Sequence, residues 1–176
     1  MLKNSLFIII LSLSVHVYAE TDDWTSYGKD SGGGHYSKAK DITPENVHLL
    51  EKAWVHRSGD YQSGANTRGK IANEIQTSFQ ATPLLVDETL YYCTPYNRVF
   101  ALNPETGEEK WVFDPDLDPA GRPLKTCRGI SSWKDKNKNE DDVCYHRLIG
   151  VTMDVDLFSI DAKTGKLCED FGDNGK

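Results

Sequence analysis

Two stretches of this chain repeat one pattern, and that repeat decides the fold. The first is Phe100-Ala-Leu-Asn-Pro-Glu-Thr-Gly-Glu-Glu-Lys-Trp111, and the second is Phe158-Ser-Ile-Asp-Ala-Lys-Thr-Gly-Lys-Leu-Cys-Glu169. Both begin with Phe, have an apolar residue in third place, continue with Asn or Asp, and then reach Thr-Gly. A fainter echo at residues 49–54 ends in Trp54, 57 residues before Trp111.

Each copy predicts two strands joined by a tight turn, because Asn or Asp followed by Thr-Gly supplies a glycine where φ is positive. A repeated antiparallel unit of this length is typical of a β-propeller blade. The alternative is an all-β sandwich in which two Thr-Gly hairpins arise by chance. The shared position of the turn within the repeat favours the propeller.

The rest of the chain reads as strands separated by turn residues, so the predicted fold class is all-β. Helical periodicity is confined to residues 44–52, where Thr43 would cap one or two turns. The predicted strands are apolar and β-branched runs at residues 82–86, 89–93, 99–102, 110–113, 148–152 and 157–160.

The first nineteen residues have the three parts of a secretory signal. Lys3 is the positive n-region, residues 6–15 are the apolar core, and Val17 and Ala19 are the small residues of a cleavage site. A membrane anchor is the alternative, but the apolar run is about half of the roughly 20 residues needed to cross a bilayer. We therefore expect residues 1–19 to be removed, and residues 20–176 to be periplasmic and without a transmembrane segment.

The net charge and the cysteines indicate which partners and cross-links to expect. Removal of residues 1–19 takes away Lys3 and changes the formal net charge from −7 to −8, which argues against nucleic acid as a partner. The four cysteines, an even number in an exported chain, favour disulfides and contain no Cys-x-x-Cys zinc spacing. Three pairings are possible, and for Cys127 we favour Cys144, since that pair would clamp the polar loop between them.

The first repeat resembles a motif of a known family. Residues 101–111 are similar to the tryptophan-docking motif of quinoprotein dehydrogenases, in which the indole of one blade packs on a peptide plane of its neighbour. Glu169 stands where the second copy would have its tryptophan. The chain also resembles the membrane glucose dehydrogenase branch in residues 24–37, 41–43, 57–60, 79–84, 90–95, 113–115, 126–131 and 161–172.

The resemblance implies a partial β-propeller, about two to three blades of an eight-bladed domain, over residues 20–176. It also implies pyrroloquinoline quinone (PQQ), a flat tricarboxylated orthoquinone, as cofactor. Gln80, Arg128 and Ser131 fall at family positions that contact PQQ, and the planar Arg128 guanidinium suits a carboxylate because it donates two parallel hydrogen bonds. The divalent cation, calcium or magnesium, and the aspartate base belong to later blades, so we assign no catalytic residue or metal ligand here.

The activity implied is oxidation of glucose or a related sugar, polyol or cyclic alcohol, with electrons passed to a membrane quinone. We expect the chain to be an N-terminal part of such an enzyme and to be inactive by itself. The alternative is a non-catalytic periplasmic propeller that binds proteins in outer-membrane assembly. That alternative explains the repeats and the signal, but it does not explain residues 79–84 or 126–131.

Overall fold

The computed structural model describes residues 23–30, 32–61, 76–118 and 124–176, and the predicted signal peptide lies outside them. No helix within these residues combines the length and apolar character needed to cross a membrane. The described strands are β1 (Gln76–Phe79), β2 (Leu84–Val86), β3 (Thr89–Cys93), β4 (Val99–Leu102), β5 (Glu109–Phe113), β6 (Leu124–Cys127), β7 (Ser131–Lys134), β8 (His146–Val151) and β9 (Leu157–Asp161).

The strands form two antiparallel meanders and one separate pair. Strands β2-β3-β4-β5 make the first sheet, and β7-β8-β9 make the second sheet. Leu167 forms an isolated bridge to Ile160 in β9, at the place of a fourth strand of the second sheet. Strands β1 and β6 form a parallel ladder of their own. Successive meanders of this size are propeller blades, which confirms the all-β fold and the partial β-propeller.

The Thr-Gly turn of the first repeat joins β4 to β5, and that of the second repeat follows β9. Asn103 Oδ1 accepts backbone N–H groups two and three residues on, at 2.8 and 3.2 Å. Asp161 Oδ1 does the same at 3.0 and 2.8 Å. Gly107 has a φ of 74° and Gly165 a φ of 70°, so both turns use the left-handed conformation that glycine adopts without a steric penalty.

Trp111 joins the first sheet to the second. Its indole Nε1–H donates to the Ala162 carbonyl at 3.1 Å, and its ring covers Gly165 so closely that a Cβ there would lie 2.6 Å from a ring carbon. The Tyr91 hydroxyl donates to the same carbonyl at 3.1 Å, and burial raises the pKa of Tyr91 to about 12. The Thr-Gly turn of the second sheet is therefore fixed by two aromatic side chains of the first.

Trp54 repeats this contact one unit earlier. Its Nε1–H donates to the Pro104 carbonyl at 3.1 Å, and its ring lies 2.5 Å from the position of a Cβ on Gly107. His56 follows on the same segment, and its Nε2 lies 2.7 Å from Glu109 Oε1. The faint echo at residues 49–54 is thus structurally equivalent to the first repeat at its tryptophan.

The buried core lies between the two sheets. Phe113 and Phe158 pack with ring centroids 5.1 Å apart. Residues from both sheets complete this cluster, among them Leu84, Val86, Cys93, Val99, Ala101, Leu148, Ile160 and Ala162.

Of the one or two helical turns predicted at residues 44–52, a single turn forms, and the predicted cap is wrong. The structure has only a 3-10 helix at Val47–Leu49, with Asn46 at its N-cap and no side-chain cap hydrogen bond. Thr43 does not cap through its side chain; its carbonyl accepts the backbone N–H groups of Asn46 and Val47. The apolar residues of this segment are exposed, so no packing partner extends the turn into an α-helix.

The predicted Cys127–Cys144 disulfide is also wrong. Cys127 pairs with Cys93 across a Cα–Cα distance of 6.0 Å, and Cys144 pairs with Cys168 across 5.8 Å. The polar loop between β7 and β8 closes by its own hydrogen bonds, including the Asp135 N–H to the Tyr145 carbonyl. A disulfide clamp between Cys127 and Cys144 is therefore not what closes that loop.

We predict that Trp111→Ala lowers the free energy of unfolding of the gene product by about 2–4 kcal/mol, because it removes a large aromatic contact between two sheets. Trp133→Ala is the matched control, since that side chain is about half exposed, and it should cost no more than about 1 kcal/mol. Urea unfolding followed by far-ultraviolet circular dichroism measures both. Equal losses in the two variants would contradict the docking role.

Candidate cofactor-binding site

The parallel ladder brings two predicted site residues together. Its register pairs Phe79 with Cys127, the last residues of β1 and β6. Gln80 and Arg128 follow these residues directly, so both leave the ladder at the same end. Ser131 begins β7 three residues after Arg128. The pairing of β1 with β6 therefore brings Gln80 and Arg128 close together although they are far apart in the sequence.

All three predicted residues line one cavity of about 690 Å³, which we call the Arg128 cleft. Their side chains are exposed toward it. A volume of this size lies within the range of small-molecule sites in proteins. The cleft is lined by Thr25, Ser26, Tyr27, Gln80, Arg128, Gly129, Ile130, Ser131 and Ser132.

The charge at the cleft comes from Arg128. Two other arginines are held by carboxylates: Arg98 donates to Asp60 through Nε at 3.0 Å and through Nη2, and Arg147 Nη2 donates to Asp170 at 2.7 Å. By contrast, the Arg128 guanidinium has no carboxylate or carbonyl partner in the part of the chain that the structure describes. An exposed guanidinium of this kind retains all its donors for an anionic ligand.

A second cavity of about 420 Å³ adjoins the cleft and shares Arg128, Gly129 and Ser131 with it. Thr126 lines this cavity, and its Oγ1 is buried without a hydrogen-bond partner among the described residues. Buried hydroxyl groups normally have a partner, so this orphaned atom marks a place where a polar ligand atom would be accepted. Asn97 also lines this cavity, with its Oδ1 accepting the Met153 N–H at 3.0 Å.

Four further residues line the cleft and were not predicted as site residues: Thr25, Ser26, Tyr27 and Ser132. The first three reach it because Trp24 pairs with Leu85 at the edge of the first sheet, through backbone hydrogen bonds of 2.7 and 3.0 Å. This pairing joins residues 61 positions apart in the chain, so no local sequence pattern predicts it. The resemblance at residues 24–37 was the one available indication.

A polar bridge lies beneath the cleft. Ser132 Oγ is 2.8 Å from His146 Nε2, and His146 Nδ1 is 3.4 Å from Asp87 Oδ2 of the first sheet. Lys134 also pairs with Asp87 at 2.8 Å. Burial lowers the pKa of His146 below its ordinary value of 6.5, against an opposing contribution from Asp87. A neutral imidazole therefore links the floor of the cleft to the neighbouring sheet.

Adjacent meanders, each with an indole laid on a Thr-Gly turn, define the class of this molecule as a β-propeller. Residues 24–176 match the model of the family described as "PQQ: Glucose/ethanol/alcohol dehydrogenase, beta-propeller domain". The chain belongs to this family, and it is similar over most of its length to quinoprotein glucose dehydrogenases, as the sequence resemblance indicated.

Similar curated proteins agree with the family. The quinoprotein glucose dehydrogenase of Escherichia coli (strain K12) is 39% identical over 158 residues, which are 87% of this chain and 19% of that protein. The glycerol dehydrogenase large subunit of Gluconobacter oxydans (strain 621H) is 32% identical over 155 residues, which are 88% of this chain and 20% of that protein. The chain thus spans about one fifth of the length of the curated relatives it matches.

Solved structures support the fold. The quinohemoprotein alcohol dehydrogenase from Comamonas testosteroni superposes with a TM-score of 0.58 at 26% identity, covering 84% of this chain and 19% of that one. A europium-containing methanol dehydrogenase gives a TM-score of 0.61 at 22% identity, covering 82% of this chain and 22% of that one, a likeness in fold alone.

The residues present fit the anionic cofactor that gives the family its name. Within the described residues, Arg128 offers donors without a protein partner and Thr126 offers a hydroxyl without one, on the walls of two adjoining cavities. A divalent cation finds no comparable place in the described residues. The one geometric cluster there is Cys144, Cys168 and Asp170, and both sulfurs are consumed by a disulfide.

We predict that stability falls as pH drops below about 6.5, because burial lowers the pKa of His146. In that window the unfolded chain binds the proton and the folded chain does not, so the free energy of unfolding decreases until pH passes the lowered pKa. Urea unfolding at several pH values between 7.5 and 5 measures the slope. His146→Gln should make the free energy of unfolding less dependent on pH. His48→Gln, at an exposed position, is the control and should keep the pH dependence of the unsubstituted protein. The same pH dependence in the unsubstituted protein and both variants would contradict the role of His146.

Proposed function

We propose that this chain is part of a periplasmic PQQ-dependent dehydrogenase, and that the Arg128 cleft holds one side of PQQ. The observation that carries the proposal is the Arg128 guanidinium at the shared end of β1 and β6, which has no carboxylate or carbonyl partner among the described residues. A tricarboxylate requires a cation at its rim, and a guanidinium meets a carboxylate with two parallel charge-assisted hydrogen bonds. The family match over residues 24–176 supports the same cofactor.

Each predicted residue has a separate role in this proposal. Arg128 binds a PQQ carboxylate and sets the orientation of the ring. Gln80, whose Nε2 donates to Ser78 Oγ at 3.1 Å, presents its amide beside Arg128, and Ser131 offers a hydroxyl as donor or acceptor. PQQ, when bound, supplies the two-electron acceptor for alcohol oxidation; this chain supplies binding and orientation.

The substrate class is a sugar, polyol or cyclic alcohol, and the electron acceptor is a membrane quinone. The similar proteins support this range, since they include glucose, glycerol and quinate/shikimate dehydrogenases, the last named with "(quinone)". We further propose that residues 1–19 are a signal peptide, that residues 20–176 are propeller, and that calcium or magnesium binds to residues outside this chain. Two disulfides are consistent with an oxidising periplasm.

The first test is PQQ binding by the complete gene product that carries this chain. We expect Arg128→Ala to weaken binding by about 10- to 100-fold, because hydrogen bonds to a charged group contribute about 1.5–3 kcal/mol. The PQQ affinity of Arg128→Lys should lie between those of the unsubstituted protein and Arg128→Ala, since the ammonium group keeps the charge but lacks the planar pair of donors. Arg57→Ala, outside the cleft, is the control. Unchanged affinity in Arg128→Ala, measured by equilibrium dialysis, would refute the site.

The second test is dehydrogenase activity with glucose, glycerol or quinate, PQQ, a divalent cation and a redox dye. We expect dye reduction from the complete gene product. The 176-residue chain alone should give none, since no residue in it is assigned as the base or as a cation ligand. Substrate-dependent dye reduction by the chain alone would show that assignment to be mistaken.

A further inference from the structure

The parallel ladder that carries Gln80 and Arg128 is weakly held by its own hydrogen bonds. It has two strands of four residues, and among the described residues it is not hydrogen-bonded into either the first or the second sheet. Two-stranded sheets are marginal in water, and parallel pairing is slightly weaker per residue than antiparallel pairing. The position of the ladder relative to the blades therefore depends on other contacts.

One such contact is covalent, and it lies next to Arg128. Cys127 is the last residue of β6 and is bonded to Cys93, the last residue of β3. Cys93 is 1% exposed and pairs with Val99 inside the first sheet, so it is a rigid anchor. The bond ties the end of the ladder to the first blade at the point where Arg128 begins the cleft.

A non-covalent contact also ties the ladder to the first sheet. Lys125 of β6 is fully buried, and its Nζ lies 5.3 Å from the centroid of the Tyr96 ring in the β3–β4 turn. This contact fixes the middle of β6 but not the residue before Arg128. Rotation or displacement at position 127 would move the guanidinium directly, since one peptide separates them.

We infer that the Cys93–Cys127 disulfide is a positioning element for PQQ binding: it holds Arg128 and its neighbour Gln80 in the geometry that meets the cofactor. This inference rests on the proposed function of the Arg128 cleft. The second disulfide, Cys144–Cys168, has no such role. It lies along a different cavity, and neither of its cysteines lines the Arg128 cleft or the adjoining cavity.

The two disulfides therefore form a matched pair for experiment in the complete gene product. We expect Cys93→Ser/Cys127→Ser to weaken PQQ binding about ten-fold or more, as loss of a supporting contact does at preorganised sites. Cys144→Ser/Cys168→Ser should lower stability but leave the PQQ dissociation constant unchanged. Equilibrium dialysis with PQQ is run well below the unfolding midpoint of each variant.

A double-mutant cycle separates positioning from general stability. If the disulfide acts through Arg128, opening it in an Arg128→Ala background should change PQQ affinity much less than in the wild-type background. Additive losses would overturn the positioning role. If Arg128→Ala alone leaves affinity unchanged, the proposed site itself fails; if Arg128→Ala weakens binding but the Cys93/Cys127 variant binds normally, only the present inference fails.

Two further measurements guard against misfolding of the serine pair. Cys93→Val/Cys127→Val keeps apolar packing without the covalent bond and should show the same loss of affinity. Unsubstituted protein that is reduced, freed of reductant by gel filtration and kept without oxygen should also bind PQQ more weakly, and reoxidation should restore binding. Normal affinity in the reduced protein, with both disulfides shown open by thiol titration, would overturn the inference.

Discussion

The packing of an indole on a glycine turn is the constraint on which this structure depends. Trp111 lies against Gly165 with a gap that no Cβ could enter, and its N–H reaches the Ala162 carbonyl. Tyr91 donates to the same oxygen. Two donors from the first sheet thus fix both the distance and the orientation of the second sheet. Apolar contact alone would not fix the orientation, because dispersion attraction has no preferred direction.

Two of the candidate site residues, Gln80 and Arg128, lie outside the sheets that this packing fixes, whereas Ser131 begins the second sheet. Gln80 follows the parallel ladder, Arg128 follows its partner strand, and Tyr27 belongs to the segment bridged to β2 by Trp24. Segments between rigid elements can present polar side chains without disturbing the core. Such segments need supports of their own, which here are a strand pairing, a buried lysine under an aromatic ring, and a disulfide.

The predicted strands show where local patterns suffice. Strands β3 and β4 were predicted to the residue, because apolar runs end sharply at the Tyr96-Asn97 turn and Asn97 adopts the positive φ of 59° that such turns use. Strand β7 was missed, since Ser-Ser-Trp-Lys has no apolar run and becomes a strand by pairing with β8. At residues 44–52 the periodic pattern gives only one 3-10 turn, at Val47–Leu49. Its apolar residues are exposed, so tertiary packing does not extend the turn.

By itself the sequence determined the blades, the glycine turns and the docking tryptophans, because each depends on residues close together in the chain or on a motif of fixed spacing. Only the tertiary structure decided which cysteines pair, that Gln80 and Arg128 leave one ladder side by side, and that Thr25 to Tyr27 and Ser132 complete the cleft. These contacts join segments tens of residues apart. They are set by the packing of the whole molecule, so a local sequence pattern does not predict them.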